Sequence, residues 1–319
     1  MNTGRPAGED DLVVLLDATR TPTPVAAARV ASAFLAAHGI ESPRADADWL
    51  IAHVLGVSPG RLLLIDELTA AQRSALVQAL TCRAQRIPLQ HITGRAAFGP
   101  LELAVGPGVF IPRPETEWLL EWAVAQANSV PTGAAPQVVD LCSGSGALAV
   151  GVATLVPDAQ VVAVELDTDA LTWLRHNVEE SPAADRVSVV AADVTDATAM
   201  NAVLPAAGVD VIVTNPPYVP RTAMVSAEVG HDPDRAIFGG DDGMSVIVPM
   251  LTVVAAALVP SGVVGIEHDD TTSAEVVAAL SAHGAFIDVA AHRDLAGRDR
   301  FVTARRRPWS PTRRERMGP

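Results

Sequence analysis

One tetrapeptide, Asn215-Pro216-Pro217-Tyr218, directly follows the β-branched run Val209–Thr214. Its two prolines fix φ and remove two backbone donors, so the chain beyond Asn215 is rigid. The Asn215 side-chain oxygen and the Pro216 carbonyl oxygen can each accept one hydrogen of a planar NH₂ group, while Tyr218 packs against its flat face. The pattern predicts catalysis of transfer to an amide or aromatic amine nitrogen, mainly by positioning. A rigid turn without chemistry is the alternative for the tetrapeptide alone.

A glycine-rich loop follows an earlier run of the same kind. Asp140 lies near the end of that run, Gln137–Leu141, and a helix-length stretch begins at Ala147. Two glycines allow a tight turn and a close approach of the backbone to a ligand, and the following helix start offers free N–H groups. The loop residues are Cys142, Ser143, Gly144, Ser145 and Gly146. A purely structural turn explains the loop equally well when it is considered alone.

Acidic residues at the ends of the next two strand-like runs indicate a nucleoside site. Glu165 lies nineteen residues after Gly146, where a carboxylate can accept both hydroxyls of a ribose. Asp193, after the third run, can accept from an adenine amino group; a turn role is the alternative for each carboxylate alone. The loop lacks a P-loop lysine, and Asp140 would repel a pyrophosphate but favour a cation. The predicted cofactor is therefore S-adenosylmethionine and not a dinucleotide.

These residues lie in a region where short β-branched runs alternate with helix-length stretches. The predicted strands are Gln137–Leu141, Gln160–Glu165, Arg186–Ala191, Val209–Thr214, Gly262–Glu267, Ala285–Ala290 and Phe301–Ala304. The predicted helices are Ala147–Val156, Asp169–Glu179, Ser245–Leu258 and Thr272–Ala282. Such alternation is typical of an α/β domain with a doubly wound, largely parallel sheet. Ligands bind at the carboxyl ends of such strands, which is where the candidate residues fall.

The chain before this region has helical periodicity and no strand pattern between Val25 and about Arg86. Thr69 and Gln72 form a capping-box pattern at the start of one helix, which must end before Pro88. We therefore predict a small helical domain at residues 1–93. A connector rich in glycine and proline is predicted at 94–114, with short strands such as a hairpin. The α/β domain is predicted at 115–306, and a disordered arginine-rich tail follows at 307–319.

Composition limits the classes of partner. The chain has 319 residues, is 49% hydrophobic and carries a net charge of −14. Residues 305–319 hold six arginines and one glutamate, which leaves 17 basic and 36 acidic residues in the body. This acidic body is a poor partner for phosphate backbones, so we expect no direct nucleic-acid binding.

Other features point to a cytoplasmic protein without a metal. Cys82 and Cys142 lie sixty residues apart, which suits a reducing compartment. Residues 1–11 have no secretory pattern, and the long uncharged run at 243–266 is interrupted by prolines and glycines, so we expect no membrane span. None of the eight histidines forms a ligand-spaced cluster, and no metal site is predicted.

Further segments extend the comparison to a known family. The tetrapeptide and the glycine loop together resemble S-adenosylmethionine-dependent methyltransferases that act on planar amino groups. Within that class, three stretches resemble the release-factor glutamine methyltransferase family: 110–117, read Phe-Ile-Pro-Arg-Pro-Glu-Thr-Glu; 88–94, read Pro-Leu-Gln-His-Ile-Thr-Gly; and Glu267-His268. The leading helical domain is similar too, and the resemblance runs from about Val25 to Arg305.

The resemblance implies a Rossmann-like class I methyltransferase domain, with a seven-stranded sheet and an antiparallel final hairpin, beside a helical domain that helps to dock the substrate. It also implies methylation of the glutamine side-chain amide in the Gly-Gly-Gln motif of peptide chain release factors, which modulates translation termination. Carried over by residue, the cofactor loop is 142–146, the ribose acid is Glu165 and the adenine side is Asp193 with Val194. The substrate amide clamp is 215–218, and Phe110 walls the glutamine pocket.

This chain departs from the family pattern at a few positions. Cys142 and Ser143 stand where glycine and threonine are common, Glu165 replaces an aspartate, and Val194 occupies a position that is often aromatic. Arg113 is expected to pair with Glu115 or Glu117, or else to line the entrance of the cofactor site. His231 and His268 are expected as polar residues near the mouth of the cleft.

Two other functions stay open at this point. An adenine or cytosine amino methyltransferase acting on DNA or RNA would use the same clamp. An adaptor that binds the cofactor and a partner protein without catalysis would keep the loop but would not need Asn215 and Tyr218.

Overall fold

The computed structural model describes residue 12 and residues 22–131, 133–204 and 208–308. The chain divides into two compact units, Met1–Gly94 with Ser226–His231, and Arg95–Val225 with Asp232–Pro319. The residues expected as a separate connector, from Arg95 onward, thus belong to the second unit. The polar N-terminus at 1–11 and the arginine-rich tail from residue 309 onward lie outside the described residues.

The first unit is helical. Its elements are α1 (Pro24–Ala37), α2 (Pro43–Leu55), a 3₁₀ helix (Pro59–Leu64), α3 (Ala70–Ala84) and α4 (Leu89–Thr93). Thr23 and Thr69 cap α1 and α3 through their side chains, and the predicted capping box of Thr69 with Gln72 is confirmed. Buried leucines and isoleucines at helical spacing form the core, as in Leu50 of α2 and Leu76 of α3.

Ion pairs hold the second segment of this unit in place. Arg83 donates to Asp46 at 2.7 Å, and both side chains are largely buried. Arg83 and Arg86 also pair with Glu228, at 3.3 and 2.9 Å. Buried charges need partners of this kind, and the local periodicity of the helices contains no signal for a partner 145 residues away.

The second unit is built on a seven-stranded sheet with the order β5-β4-β3-β6-β7-β9-β8. Its strands are β3 (Gln137–Leu141), β4 (Gln160–Glu165), β5 (Val187–Ala191), β6 (Val209–Thr214), β7 (Leu258–Glu267), β8 (Phe286–Arg293) and β9 (Asp299–Arg306). Strands β3 to β7 are parallel, while β9 runs antiparallel to both β7 and β8. The predicted fold class is confirmed. The last three strands are longer than predicted. Hairpin pairing extends β8 and β9 over polar residues, whereas β7 begins earlier because Leu258 pairs with Val209 of β6.

Helices cover both faces of this sheet. They are α5 (Thr116–Asn128), α6 (Ala147–Leu155), α7 (Thr168–Glu179), α8 (Ala197–Val203), α9 (Asp234–Ile237), α10 (Ile247–Ala257) and α11 (Ser273–Ala282). Alternate strand residues point to opposite faces, so Val138 joins the core under α5 to α7 and Val139 joins the core under α10 and α11. A short hairpin, β1 (Arg95–Phe98) and β2 (Leu101–Ala104), precedes α5. Among the described residues, no helix has both the length and the apolar character needed to cross a membrane.

Candidate active site

A cavity of about 640 Å³ opens at the carboxyl ends of β3 to β6, within the second unit. The predicted site residues that line it are Phe110, Asp140, Cys142, Ser143, Gly144, Ser145, Glu165, Asp193, Val194, Asn215 and Pro217. Gly146, Pro216 and Tyr218 are not among the lining residues. The topology thus brings the two predicted groups, the nucleoside residues and the amide clamp, to one cavity.

The glycine loop has the backbone conformation that its glycines permit. Gly144 and Gly146 have φ values of 55° and 89°. At Gly146 a Cβ atom would lie 2.7 Å from Leu174 Cδ1 of α7, so both conformation and packing require glycine. Cys142 also has a positive φ, 60°, which costs energy for a residue with a side chain. This departure from the family pattern therefore carries local strain.

Asp140 lies at the base of the loop with 1% of its surface exposed. Its Oδ2 accepts the Ala149 N–H at 3.1 Å, whereas its Oδ1 is buried without a hydrogen-bond partner. Burial raises the pKa of Asp140 to about 7, against the lowering effect of its hydrogen bonds, and the charge of Glu165 adds to the rise. A cation bound in the cavity would relieve this unfavourable burial of a carboxylate.

The two strand-end carboxylates make backbone contacts. Glu165 Oε2 accepts the Gly144 N–H at 2.8 Å, and its Oε1 accepts the N–H groups of Leu166 and Asp167 at 2.7 and 2.8 Å. Asp193 Oδ1 accepts the N–H and hydroxyl of Thr195 at 2.8 and 2.7 Å. The turn role that was the alternative for each residue is thus present. A carboxylate has about four acceptor positions, so Glu165 Oε2 and Asp193 Oδ2 keep capacity for a ligand.

The expected pairing of Arg113 with Glu115 or Glu117 is wrong. Arg113 Nη2 donates to Asp232 Oδ2 at 2.5 Å, and the Asp232 side chain is fully buried. The guanidinium carbon also lies 4.9 Å from the centre of the Phe110 ring, within the range of a cation–π contact. The prolines on both sides of Arg113 hold the backbone extended. Asp232, the partner of Arg113, lies 119 residues away in the sequence. Spacing along the chain therefore could not identify Asp232.

The amide clamp is held by side chains from two other segments. Asn215 Nδ2 donates to Thr116 Oγ1 at 3.1 Å, at the start of α5. The Tyr218 hydroxyl donates to Glu267 Oε1 at 3.2 Å, at the end of β7. Burial raises the pKa of Tyr218 well above its usual range, and the nearby Glu267 carboxylate raises it further. The stacking of Tyr218 on a substrate stays a prediction, while Thr116 is a site residue that the sequence did not single out.

Neither of the two histidines is among the residues that line the cavity. His268 is 1% exposed, and its Nδ1 lies 2.8 Å from the Asp269 carbonyl oxygen. Burial lowers the pKa of His268, so its neutral form is favoured. His231 belongs to the second segment of the helical unit. Within the described ranges, no group of three or more His, Cys, Asp or Glu is arranged to hold a metal ion.

The sheet order, the glycine loop and the clamp at one edge define a Rossmann-like methyltransferase. Residues 123–232 match the model of the methyltransferase small domain. The hMettl16 catalytic domain, solved in complex with the MAT2A 3′UTR hairpin 6, has a TM-score of 0.50 over 73% of this chain and 83% of that chain, at 13% identity. At that identity the likeness concerns the fold alone.

The family follows from closer relatives. Residues 26–94 match the PrmC N-terminal domain. The release factor glutamine methyltransferase of Mycolicibacterium smegmatis is 51% identical over 88% of this chain and 96% of its own length, and that of Corynebacterium glutamicum is 47% identical over 88% and 98%. The chain belongs to the release factor glutamine methyltransferase family. The resemblance seen in the sequence is confirmed.

Proposed function

We propose that this protein methylates the glutamine side-chain amide in the Gly-Gly-Gln motif of peptide chain release factors, with S-adenosylmethionine as methyl donor. One observation carries the proposal: Asn215 and Pro217 lie in the wall of the same cavity as Asp140 and Glu165. Relatives that carry the name of this activity support the choice of substrate.

The residues around the cavity fit the proposed cofactor. A volume of about 640 Å³ lies in the usual range of about 300–1,000 Å³ for small-molecule sites. Asp140 Oδ1, buried and without a partner, suits an ammonium group, and the free capacity of Glu165 suits ribose hydroxyls. Asp193 and Val194 also line the cavity, and we expect them to border the adenine. When bound, the cofactor supplies a methyl group activated by a positively charged sulfur.

The clamp residues perform the work on the substrate. An amide nitrogen is a poor nucleophile because its electron pair is delocalised into the carbonyl group. The Asn215 side-chain oxygen and the Pro216 carbonyl oxygen accept the two amide hydrogens and so fix the direction of that electron pair. Phe110 provides an apolar wall that keeps water from the reacting nitrogen.

The helical unit is proposed to help hold the release factor. Leu63 and Leu64 of its 3₁₀ helix are 81% and 75% exposed, which is unusual for leucine beside a packed core. Replacing both by serine should raise KM for an intact release factor by a few-fold and leave KM for a short Gly-Gly-Gln peptide unchanged. Equal KM changes for both substrates would contradict this role.

Mass spectrometry tests the proposed function. Purified release factor is incubated with the enzyme and isotope-labelled methyl donor, and tandem spectra locate the label. The expected product carries one methyl group on the side-chain nitrogen of the Gly-Gly-Gln glutamine. A release factor with that glutamine replaced by alanine is the control, and duplex DNA and rRNA are tested in parallel. Labelled nucleic acid with unlabelled release factor would establish the rival function instead.

A further inference from the structure

The backbone that follows the amide clamp is paired with a second loop of the same unit. Val219 and Phe238 form an isolated parallel bridge outside the strands of the sheet. The Val219 N–H donates to the Ile237 carbonyl oxygen at 2.9 Å, and the Gly239 N–H donates to the Val219 carbonyl oxygen at 3.0 Å. We call residues 237–245 the bracing segment, because they lie directly against the end of the clamp.

Two further backbone hydrogen bonds hold the bracing segment in place. The Arg221 N–H donates to the Gly240 carbonyl oxygen at 2.9 Å, which extends the contact beyond the bridge. Within the segment, the Ser245 N–H donates to the Gly239 carbonyl oxygen at 2.9 Å. Phe238 and Ser245 also line the cavity. One loop thus forms part of the cavity wall and holds the chain that carries the clamp.

Glycine at position 239 permits a close approach of the two backbones. A Cβ atom at Gly239 would lie 2.5 Å from the Pro217 carbonyl oxygen and 2.6 Å from the Gly243 carbonyl oxygen, whereas ordinary contact begins at 3.4 Å. Gly239 is not among the glycines with a positive φ, so packing and not backbone conformation requires glycine here. An alanine would have to displace the clamp or the bracing segment by several tenths of an ångström.

Gly243 makes the same kind of approach to the next residue of the clamp. A Cβ atom at Gly243 would overlap the Tyr218 carbonyl oxygen, and its φ of 80° lies in the left-handed region that favours glycine. Two consecutive clamp residues, Pro217 and Tyr218, thus have their carbonyl oxygens against glycines of the bracing segment. The position of the clamp backbone therefore depends on the small size of both residues.

We propose that Gly239 and Gly243 are positioning residues, which set the place of the backbone at 216–218 and so of the Pro216 carbonyl oxygen. The proposal deepens the proposed function and rests on it for its effect on turnover. A displacement of about 1 Å at a reacting centre can cost about 10²-fold in rate. The two prolines of the clamp transmit such a displacement, because their rings fix φ and leave the backbone few ways to absorb it.

The test is Gly239→Ala, which adds one methyl group between the two backbones. The matched control is Gly262→Ala in β7, where a Cβ atom would lie 3.0 Å from the carbonyl oxygens of Val209 and Val259, at the opposite end of β6 from the clamp. We expect Gly239→Ala to lower kcat at saturating S-adenosylmethionine by about tenfold or more. Gly262→Ala should keep the kcat of wild type, even where its melting temperature falls. Wild-type kcat in Gly239→Ala, or equal losses of kcat in both variants, would overturn the proposal.

A second measurement uses the wild-type protein and depends neither on methyl transfer nor on the folding of a variant. Amide hydrogen exchange is followed at Val219 and Gly239, whose N–H groups form the bridge, with Ile212 of β6 as the reference. Protection at both bridge positions similar to that of Ile212 supports the proposal, since a rigid brace opens only together with the sheet. Exchange as fast as in an unstructured peptide overturns it. If wild type does not methylate release factor, the proposed function fails, and this measurement still decides whether the segment braces the clamp.

Discussion

The two sides of the cavity are constructed from contacts of different range. On the cofactor side, Glu165 contacts Gly144, 21 residues earlier in the chain, and the next two backbone N–H groups. On the clamp side, Asn215 contacts Thr116 at a separation of 99 residues, and Tyr218 contacts Glu267 at 49. The contacts of Glu165 therefore lie within one βαβ unit, whereas the contacts of the clamp join distant parts of the chain.

This difference predicts different responses to substitution. Changes on the cofactor side should alter cofactor affinity, because the loop and its carboxylates form the binding surface itself. Changes on the clamp side should alter turnover at constant cofactor affinity, because they disturb only the direction of the substrate amide.

The largest effect is expected for Asn215→Ala. Loss of one oriented hydrogen-bonding group at a reacting centre typically costs about 10²–10³ in rate. The variant should therefore show a loss of that size in kcat for release factor, while calorimetry gives an unchanged Kd for S-adenosylmethionine. Asn128→Ala, at the exposed end of α5, is the matched control and should keep wild-type values. A variant that kept its turnover would remove Asn215 from the clamp.

Asp140→Asn should act on the opposite side. It replaces the buried carboxylate that faces the cavity by a neutral amide of nearly the same shape. The attraction for a cationic ligand is lost, and cofactor Kd should rise by about tenfold or more. Measuring Kd by calorimetry and kcat at saturating cofactor separates the two effects. A fall in saturated kcat without a change in Kd would contradict the division between the two sides.

The same variant should change how stability depends on pH. The pKa of Asp140 is raised in the folded protein to about 7 from 3.8, so its folded form binds a proton more tightly than the unfolded chain does. The contribution of Asp140 to the free energy of unfolding is therefore complete below about pH 4 and is lost as the pH rises to about 7. Above that range, cofactor-free Asp140→Asn should be more stable than wild type, by about 4 kcal/mol. Urea denaturation of both proteins at pH 5 and pH 8 measures the difference in the free energy of unfolding. If that free energy changed equally with pH in both proteins, Asp140 would not be the source of the pH dependence.

The smallest effect is expected at Cys142. Its φ of 60° is costly for a residue with a side chain and free for glycine. Cys142→Gly should therefore be more stable than Cys142→Ala by about 1 kcal/mol, since both remove the thiol and only glycine relieves the backbone. Chemical denaturation of the two variants gives the comparison. A more stable alanine variant would mean that the loop relaxes its backbone at little cost.

The sequence separation of the contacts also explains which parts of the fold and of the site could be predicted from the sequence. The strand and helix pattern gave the sheet class, and the residues after β3 to β6 could be predicted because each follows its own strand. Thr116 and Asp232 could not be predicted as site residues, since their partners Asn215 and Arg113 lie 99 and 119 residues away in the chain. The Glu267-His268 pair was visible as a motif, but only the pairing of β6 with β7 shows that Glu267 lies beside Asn215. The segment 226–231 joins the helical unit for the same reason, through ion pairs of long range.

A crystal structure with the demethylated cofactor and a Gly-Gly-Gln peptide tests the central claim most directly. The measured quantity is the distance from Asn215 Oδ1 to the side-chain nitrogen of the peptide glutamine. We expect a hydrogen bond of about 2.8–3.2 Å, with Asn215 Nδ2 still on Thr116. A glutamine nitrogen that contacts neither Asn215 nor Pro216, or an Asn215 amide in the flipped orientation, would contradict the account.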